Sequence, residues 1–196
     1  TVPAISDFIQ QEPHEGAPAT EKTEAWVFFD EHNIYVSARC WDSHPDSIIA
    51  RLVRRDSDAV ADWVEIWLDP FHDHRSGYYF TVSAAGVLYD GTGFNDGMWD
   101  GSWDGVWQAR ARRDQGTHAE PGLGYACEMR IPFSQLRFRP GADQVWGVNL
   151  HRYFARRAED DYLVYTPRGQ SGSISRLPHL EGIQIDQRRR SIEVLS

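Results

Sequence analysis

The chain contains 196 residues, of which 41% are hydrophobic, so it is long enough to bury one sizeable core and we expect a single domain. Its formal net charge of −9, from 29 acidic and 20 basic residues, repels a phosphate backbone and excludes general nucleic-acid binding. Its apolar runs are all shorter than the roughly 20 residues that a membrane-spanning helix needs. These properties favour a globular domain whose ligands are cations or neutral polar molecules.

Residues 1–22 carry Pro3, Pro13 and Pro18, which are too closely spaced for a helix to form. We expect an extended arm here that packs on a sandwich formed by residues 23–196. From residue 23 onward, apolar and polar side chains alternate in the manner of β-strands. This alternation predicts strands over residues 23–29, 34–41, 62–68, 78–83, 87–89, 106–112, 125–131, 145–154, 162–165 and 192–195.

Residues 47–55 fit either a short helix or another strand, because their apolar positions match a helical face while their β-branched residues favour extension. About ten short strands without a long amphipathic helix predict an all-β fold. The expected architecture is a two-sheet antiparallel β-sandwich of the jelly-roll kind.

The most unusual stretch is residues 90–105, which contain four aspartates, five glycines and two Trp-Asp-Gly triplets. We predict that it is a loop. Carboxylates on a glycine-rich loop are able to gather around Ca²⁺, although Asp and Gly are also ordinary turn formers. The sequence leaves both interpretations open.

Three predicted strands carry polar and aromatic side chains on one of their two faces. In 62–68, for example, Trp63, Glu65 and Trp67 alternate with apolar residues that suit a core. Aromatic rings stack on sugar rings, while nearby carboxylates and amides bind hydroxyl groups. Burial of these rings beneath the aspartate-rich loop is the alternative. The candidate ligand-binding residues are Trp63, Glu65, Trp67, Tyr79, Thr81, Trp99, Asn149 and His151.

The sequence shows no motif for an activated nucleophile, a zinc hydrolase or a phosphate-binding loop, so we predict that the chain is not an enzyme. A pair of carboxylates for glycoside hydrolysis stays open, because their separation depends on the fold. His72 and His74 follow Pro70 in what the sequence indicates is a solvated turn. Cys40 and Cys127 lie in strand-like alternations, which favour two buried free thiols over a bridge.

Short motifs along nearly the whole chain suggest a family. They are Asp7-Phe8-Ile9-Gln10, residues 20–24, Asn33-Ile34-Tyr35-Val36, Arg55-Asp56, Asp62-Trp63-Val64-Glu65, Leu68-Asp69-Pro70 and Trp146-Gly147-Val148-Asn149. Together these motifs resemble the family-9 carbohydrate-binding-like domain. Residues 102–107, residues 131–138 and Ser175-Arg176 are similar to a subgroup found in bacterial proteins before a predicted outer-membrane β-barrel.

The resemblance implies a two-sheet sandwich with structural Ca²⁺, in an exported periplasmic or cell-surface protein. A signal peptide is either absent or was removed before Thr1. Candidate calcium ligands are the strand-end aspartates Asp42, Asp69, Asp90 and Asp96. In sugar-binding relatives two tryptophans clamp a terminal sugar beside an acidic residue that Glu65 matches. The clamp positions fall at Ala59-Val60 and near residues 171–174, and neither carries a tryptophan here.

The resulting hypothesis is a non-catalytic carbohydrate-binding-like module that binds a glycan on a concave polar-aromatic sheet face. A second hypothesis is an interaction module that docks on its own C-terminal outer-membrane barrel or on another partner. A third is haem binding, for which Met98 and the nearby histidines are the available ligands.

Overall fold

The computed structural model describes residues 2–57, 59–116, 121–139, 141 and 143–185. Within this part of the chain there are twelve β-strands: β1 Ile9–Glu12, β2 Thr23–Phe29, β3 Asn33–Trp41, β4 Trp63–Asp69, β5 Gly77–Ser83, β6 Leu88–Phe94, β7 Met98–Asp100, β8 Gln108–Gly116, β9 Pro121–Pro132, β10 Asp143–Phe154, β11 Glu159–Tyr162 and β12 His179–Gln184. Short 3₁₀ turns occupy Pro45–Ser47, Phe133–Gln135, Ala155–Arg157 and Ile174–Arg176. No helix in these residues is long and apolar enough to cross a membrane.

The strands form two antiparallel sheets. The larger sheet has eight strands in the order β1-β11-β10-β4-β5-β6-β7, with β12 also paired to β10, and the smaller has the order β2-β3-β9-β8. The predicted all-β sandwich is therefore confirmed. The predicted strand at 192–195 lies outside the described residues.

Both sheets turn one apolar face toward the core between them. In β3 the inward residues include Ile34 and Val36, and in β4 they include Ile66 and Leu68, all exposed by 1% or less. These β-branched and aliphatic side chains suit a pleated surface and leave water together. Successive side chains of a strand point to opposite faces, so the same strands place a second set of residues outside.

The prediction of two buried free thiols is confirmed. Cys40 and Cys127 are buried and free. Burial raises the pKa of both thiols, so neither is a reactive thiolate.

Residues 47–55 are neither a helix nor a strand beyond the 3₁₀ turn that ends at Ser47. The predicted strand at 162–165 lies earlier, as β11, because Tyr162 is the last residue paired to β10. Strands β1, β7 and β12 were not predicted, since each is short or lacks a clear alternation.

The prediction of a loop over residues 90–105 was wrong for residues 90–100, which lie in the hairpin of β6 and β7. The glycines that suggested a loop serve close packing within the sheet. A Cβ on Gly93 would lie 2.6 Å from a ring atom of Trp99 and 2.8 Å from Ile174. Glycine is therefore required here to let the Trp99 ring approach the strand.

Candidate functional site

The structure brings the three predicted polar-aromatic strand faces side by side. β4 lies between β5 and β10, so that Trp67 pairs with Tyr79 on one side and with Asn149 on the other. One step along the same face, Glu65 pairs with Thr81 and His151 by the same register. We call this outward surface of the larger sheet the polar-aromatic face.

Glu65 is the centre of the hydrogen bonding on this face and is only 9% exposed. Its Oε2 accepts a hydrogen bond from the Thr81 hydroxyl at 2.5 Å, and its Oε1 accepts one from the Trp67 indole N–H. The Nδ1 atom of His151 lies 3.4 Å from the same Oε1. The carboxylate therefore positions its neighbours, and the Trp67 ring above all.

His151 links Glu65 to the next strand. Its Nε2 atom lies 2.7 Å from Asp160, and its ring stacks on Tyr162 with centroids 3.9 Å apart. Burial lowers the pKa of His151, but the hydrogen bonds to Asp160 and Glu65 outweigh it and raise the pKa overall. The imidazole is thus held in one orientation from both nitrogen atoms.

Two tyrosines on the face remain protonated at neutral pH. Burial, followed by the charge of Glu65, raises the pKa of Tyr79 to about 12. Burial, followed by the charge of Asp160, raises the pKa of Tyr162 well above its ordinary value. Both phenol groups are therefore able to donate hydrogen bonds.

An aromatic cluster forms at the Trp67 end of the face. The rings of Trp67 and Trp99 lie 4.4 Å apart, those of Tyr79 and Trp99 lie 5.7 Å apart, and Tyr162 meets Trp67 edge-on at 6.4 Å. Trp99 is 38% exposed although it belongs to this cluster. The cluster therefore offers aromatic surface to solvent in a fixed arrangement.

Trp63 belongs to the opposite end of the same face. It stacks on Tyr153 with centroids 5.3 Å apart and meets His151 edge-on at 4.6 Å. The predicted site residues thus form one continuous face with two aromatic ends, and a depression adjoins the Trp67 end.

That depression has a volume of about 90 Å³, well below the roughly 300 Å³ of an enclosed small-molecule pocket. It is a shallow surface site. Two of its lining residues, Trp67 and Asn149, were predicted from the sequence. The other six were missed: Gln11, Tyr162, Val164, Thr166, Ser173 and Arg176. Tyr162 and Val164 lie within the strand predicted over residues 162–165, but that strand was not identified as part of a site. The other four missed residues come from β1 and from irregular segments, where alternation gives no signal.

Specific hydrogen bonds hold these irregular walls in place. The Asn149 side chain donates to the Val164 carbonyl at 2.7 Å and accepts from its N–H at 3.1 Å. The Gln11 amide donates to the Thr166 carbonyl at 2.6 Å. The segment after β11 is therefore fixed both to the sheet and to the N-terminal arm, even though it contains no regular structure.

Two of the four aspartates predicted to hold calcium form ion pairs with arginine. Asp42 receives two hydrogen bonds of 2.8 Å from the Arg156 guanidinium. Asp90 is paired with Arg55 and also accepts the N–H of Gly105 at 3.1 Å. Both carboxylates are buried, and their charge is balanced by arginine.

The other two predicted calcium ligands organise turns. Asp69 accepts the backbone N–H groups of Asp73 and His74 at 3.3 and 2.9 Å. Asp96 accepts the N–H and hydroxyl of Ser175 at 2.8 and 2.6 Å, which joins the β6–β7 turn to the wall of the depression. Among the described residues the four aspartates do not converge on one point. A structural calcium ion stays a prediction.

Comparisons with known proteins identify the fold. No protein-family model matches the sequence, and no curated protein matches it. Among solved structures, a Bacteroides uniformis protein for which carbohydrate binding has been suggested aligns with a TM-score of 0.65 and 14% identity, over 90% of this chain and 86% of its own.

Two structures of a family-9 carbohydrate-binding module from Caldicellulosiruptor kristjanssonii also align. The complex with cellotriose gives a TM-score of 0.63 and 14% identity over 100% of this chain and 89% of the module. The complex with glucose gives a TM-score of 0.57 and 16% identity over 96% of this chain and 88% of the module. At these identities the likeness concerns the fold, and the chain therefore has the fold of a family-9 carbohydrate-binding module.

Proposed function

We propose that this chain is a non-catalytic carbohydrate-binding module whose ligand lies on the Trp67 end of the polar-aromatic face. The observation that carries the proposal is the fixed cluster of Trp67 and Trp99 beside a shallow depression with polar walls. Apolar ring surface for stacking and polar groups for hydroxyl recognition are combined in one place, as a sugar requires.

The exposed groups around the cluster suit a neutral sugar. Arg176 and Thr166 line the depression, and Arg176 is exposed to solvent. A guanidinium offers several N–H donors and a threonine hydroxyl both donates and accepts, so these walls complement sugar hydroxyl groups. The buried Glu65 acts beneath them by holding the Trp67 indole.

The position of Trp99 compensates for a difference from the sugar-binding relatives. Residues 171–174, where the resemblance places a clamp tryptophan, contain none, but Ile174 and Trp99 both contact Gly93. Strand β7 therefore brings an indole to this region from a different part of the chain. The relatives bound to cellotriose and to glucose support gluco-oligosaccharides as the first ligands to test.

The proposal is tested by calorimetric titration of the chain with glucose and with cello-oligosaccharides, followed by a panel of cell-envelope and plant polysaccharides. Wild-type protein is expected to bind at least one of them. Trp99→Ala should weaken that binding by at least about tenfold, since a central aromatic contact contributes about 1–2 kcal/mol or more. Trp26→Ala, on the smaller sheet, removes an indole from elsewhere and should have no effect.

Absence of heat with every member of the panel would refute the proposal, as would equal losses in Trp99→Ala and Trp26→Ala. The non-catalytic part is tested in the same samples. After prolonged incubation we expect no new reducing ends, and turnover that is abolished by one carboxylate substitution would contradict this part.

We further propose that the module belongs to a larger exported protein of the cell envelope and contacts the outer-membrane barrel of that protein. Residues 102–107 and 131–138, which carry the resemblance to that subgroup, support this proposal. Cell fractionation tests the periplasmic or surface location, and binding to the separately produced barrel tests the contact.

A further inference from the structure

Three histidines form a cluster outside the polar-aromatic depression. His72 and His74 lie in the turn between β4 and β5, and His179 is the first residue of β12. The ring centroid of His72 lies 4.4 Å from that of His74 and 4.5 Å from that of His179. Each residue offers one ligand atom, and these atoms all lie within 4.8 Å of one another.

Strand β10 brings these distant segments together. Its residue Gly147 pairs with Asp69 at the end of β4 on one side and with His179 on the other. A Cβ at position 147 would lie 3.1 Å from the Cβ atoms of Asp69 and Leu177. The absence of a side chain at Gly147 therefore lets the β4–β5 turn and the start of β12 approach each other.

The turn itself adopts a rare backbone conformation at both histidines. The φ angles of His72 and His74 are 50° and 59°, a left-handed region that residues other than glycine seldom occupy. The buried carboxylate of Asp69 holds the turn by accepting the N–H groups of Asp73 and His74. Backbone strain of this kind is concentrated at functional sites, where the surrounding structure maintains it.

One nitrogen atom in the cluster is buried without a partner. The Nε2 atom of His72 makes no hydrogen bond within the described residues. A buried polar atom without a partner costs free energy, and a neutral imidazole is the form that binds a metal.

We propose that His72, His74 and His179 bind one divalent transition-metal ion, with Zn²⁺ as the expected ion. Zinc bonds to histidine nitrogen are about 2.0–2.1 Å long, so ligand atoms around a tetrahedral ion lie about 3.4 Å apart. The three atoms need to approach by about 1.4 Å at most to reach this geometry. Imidazole ligands also select zinc and related ions over calcium.

The surroundings indicate what kind of site this is. His179 is exposed, so the fourth position of a tetrahedral ion would face solvent and be open to water or an outside ligand. The charge of Asp69 favours a cation here, whereas that of Arg139 opposes it. The imidazole nitrogens rather than the net charge thus supply the binding, and the ion would join β12 to the β4–β5 turn.

The experiment uses protein without an affinity tag, treated with a chelator and dialysed. Calorimetric titration with ZnCl₂ is expected to show one saturable equivalent, and CoCl₂ should give the visible absorption of tetrahedral Co²⁺. The melting temperature should rise with zinc concentration, because an ion that binds only the folded chain stabilises it. The carbohydrate ligand plays no part in these measurements.

The exposed position of His179 makes His179→Ala the decisive variant, since its substitution leaves the core intact. It should weaken zinc binding at least tenfold, because loss of even an outer partner of a metal ligand typically costs about 10–100-fold. His14→Ala removes an exposed imidazole elsewhere and should bind zinc as the wild type does. Absence of a saturable equivalent in the wild type, or equal affinity in His179→Ala, would overturn the proposal.

Discussion

The outward faces of the two sheets differ in how their polar residues are arranged. On the smaller sheet, Glu128 of β9 pairs with Arg110 of β8, and both side chains are exposed. On the larger sheet, Glu65 of β4 pairs with Thr81 and His151, and all three are buried, although the described part of the chain places no third sheet over them.

The difference shows that one outward face is an ordinary solvated surface and the other is preorganised. Polar residues on the larger sheet are covered by neighbouring aromatic rings, such as Tyr162 over His151, and bind one another. A face that excludes water from its own polar groups keeps side chains in fixed positions, as a binding site requires. The following predictions test this contrast.

The largest effect is expected from Glu65→Ala. It leaves the half-buried Trp67 indole and the buried Thr81 hydroxyl without their acceptor, and an unsatisfied buried group costs about 1–3 kcal/mol. We expect a loss of about 2–4 kcal/mol in the free energy of unfolding, measured in urea. Glu128→Ala on the smaller sheet should change it by less than about 0.5 kcal/mol. Similar losses for both variants would remove the contrast between the faces.

The second prediction concerns calcium, whose predicted aspartate ligands lie at the ends of strands rather than on the sheet faces. If the predicted structural ion binds, a hundredfold excess over its dissociation constant adds about 2.7 kcal/mol to the stability. Melting curves in millimolar calcium and in excess chelator should then separate. Superimposed curves, with no bound metal by elemental analysis, would mean that Asp42, Asp69, Asp90 and Asp96 serve only as the ion-pair and turn residues described above.

Gly93→Ala tests whether the position of the Trp99 ring depends on glycine at residue 93. Its Cβ would lie 2.6 Å from the indole, so the ring must move, at a cost of about 1–3 kcal/mol and with weaker carbohydrate binding. The matched variant is Gly169→Ala, where the new Cβ meets nothing within 4 Å. Thermal melts and calorimetry measure both quantities. Unchanged carbohydrate affinity in Gly93→Ala would show that the position of Trp99 does not matter.

The smallest effect concerns pH. Because Asp160 and Glu65 raise the pKa of His151 in the folded state, its protonation stabilises the fold below the unfolded pKa of about 6.5. This contribution is lost as the pH rises through the higher folded pKa. Above pH 6.5 the melting temperature of His151→Gln should therefore fall less steeply than that of the wild type. The expected difference is a few degrees, which corresponds to about 1 kcal/mol in the free energy of unfolding. His32→Gln, at an exposed turn, should follow the wild type.

The contributions of local pattern and of tertiary structure separate clearly on β4. Alternation along 62–68 was enough to assign Ile66 to the core and Trp67 to the opposite face, because neighbouring side chains of any strand point in opposite directions. The same reasoning on the other polar strands found Tyr79 and Asn149. It gave no strand order, so it did not establish that these three residues are neighbours.

The sequence by itself determined the all-β fold class, the two faces of the main strands and the buried thiols, since these follow from local alternation of polar and apolar residues. Only the tertiary structure decided which residues line the depression, where the Trp99 ring lies against Gly93, and that His72 contacts His179. Those contacts join residues that are far apart in the chain. They depend on strand order and register, which are fixed by the packing of whole sheets and not by any local pattern.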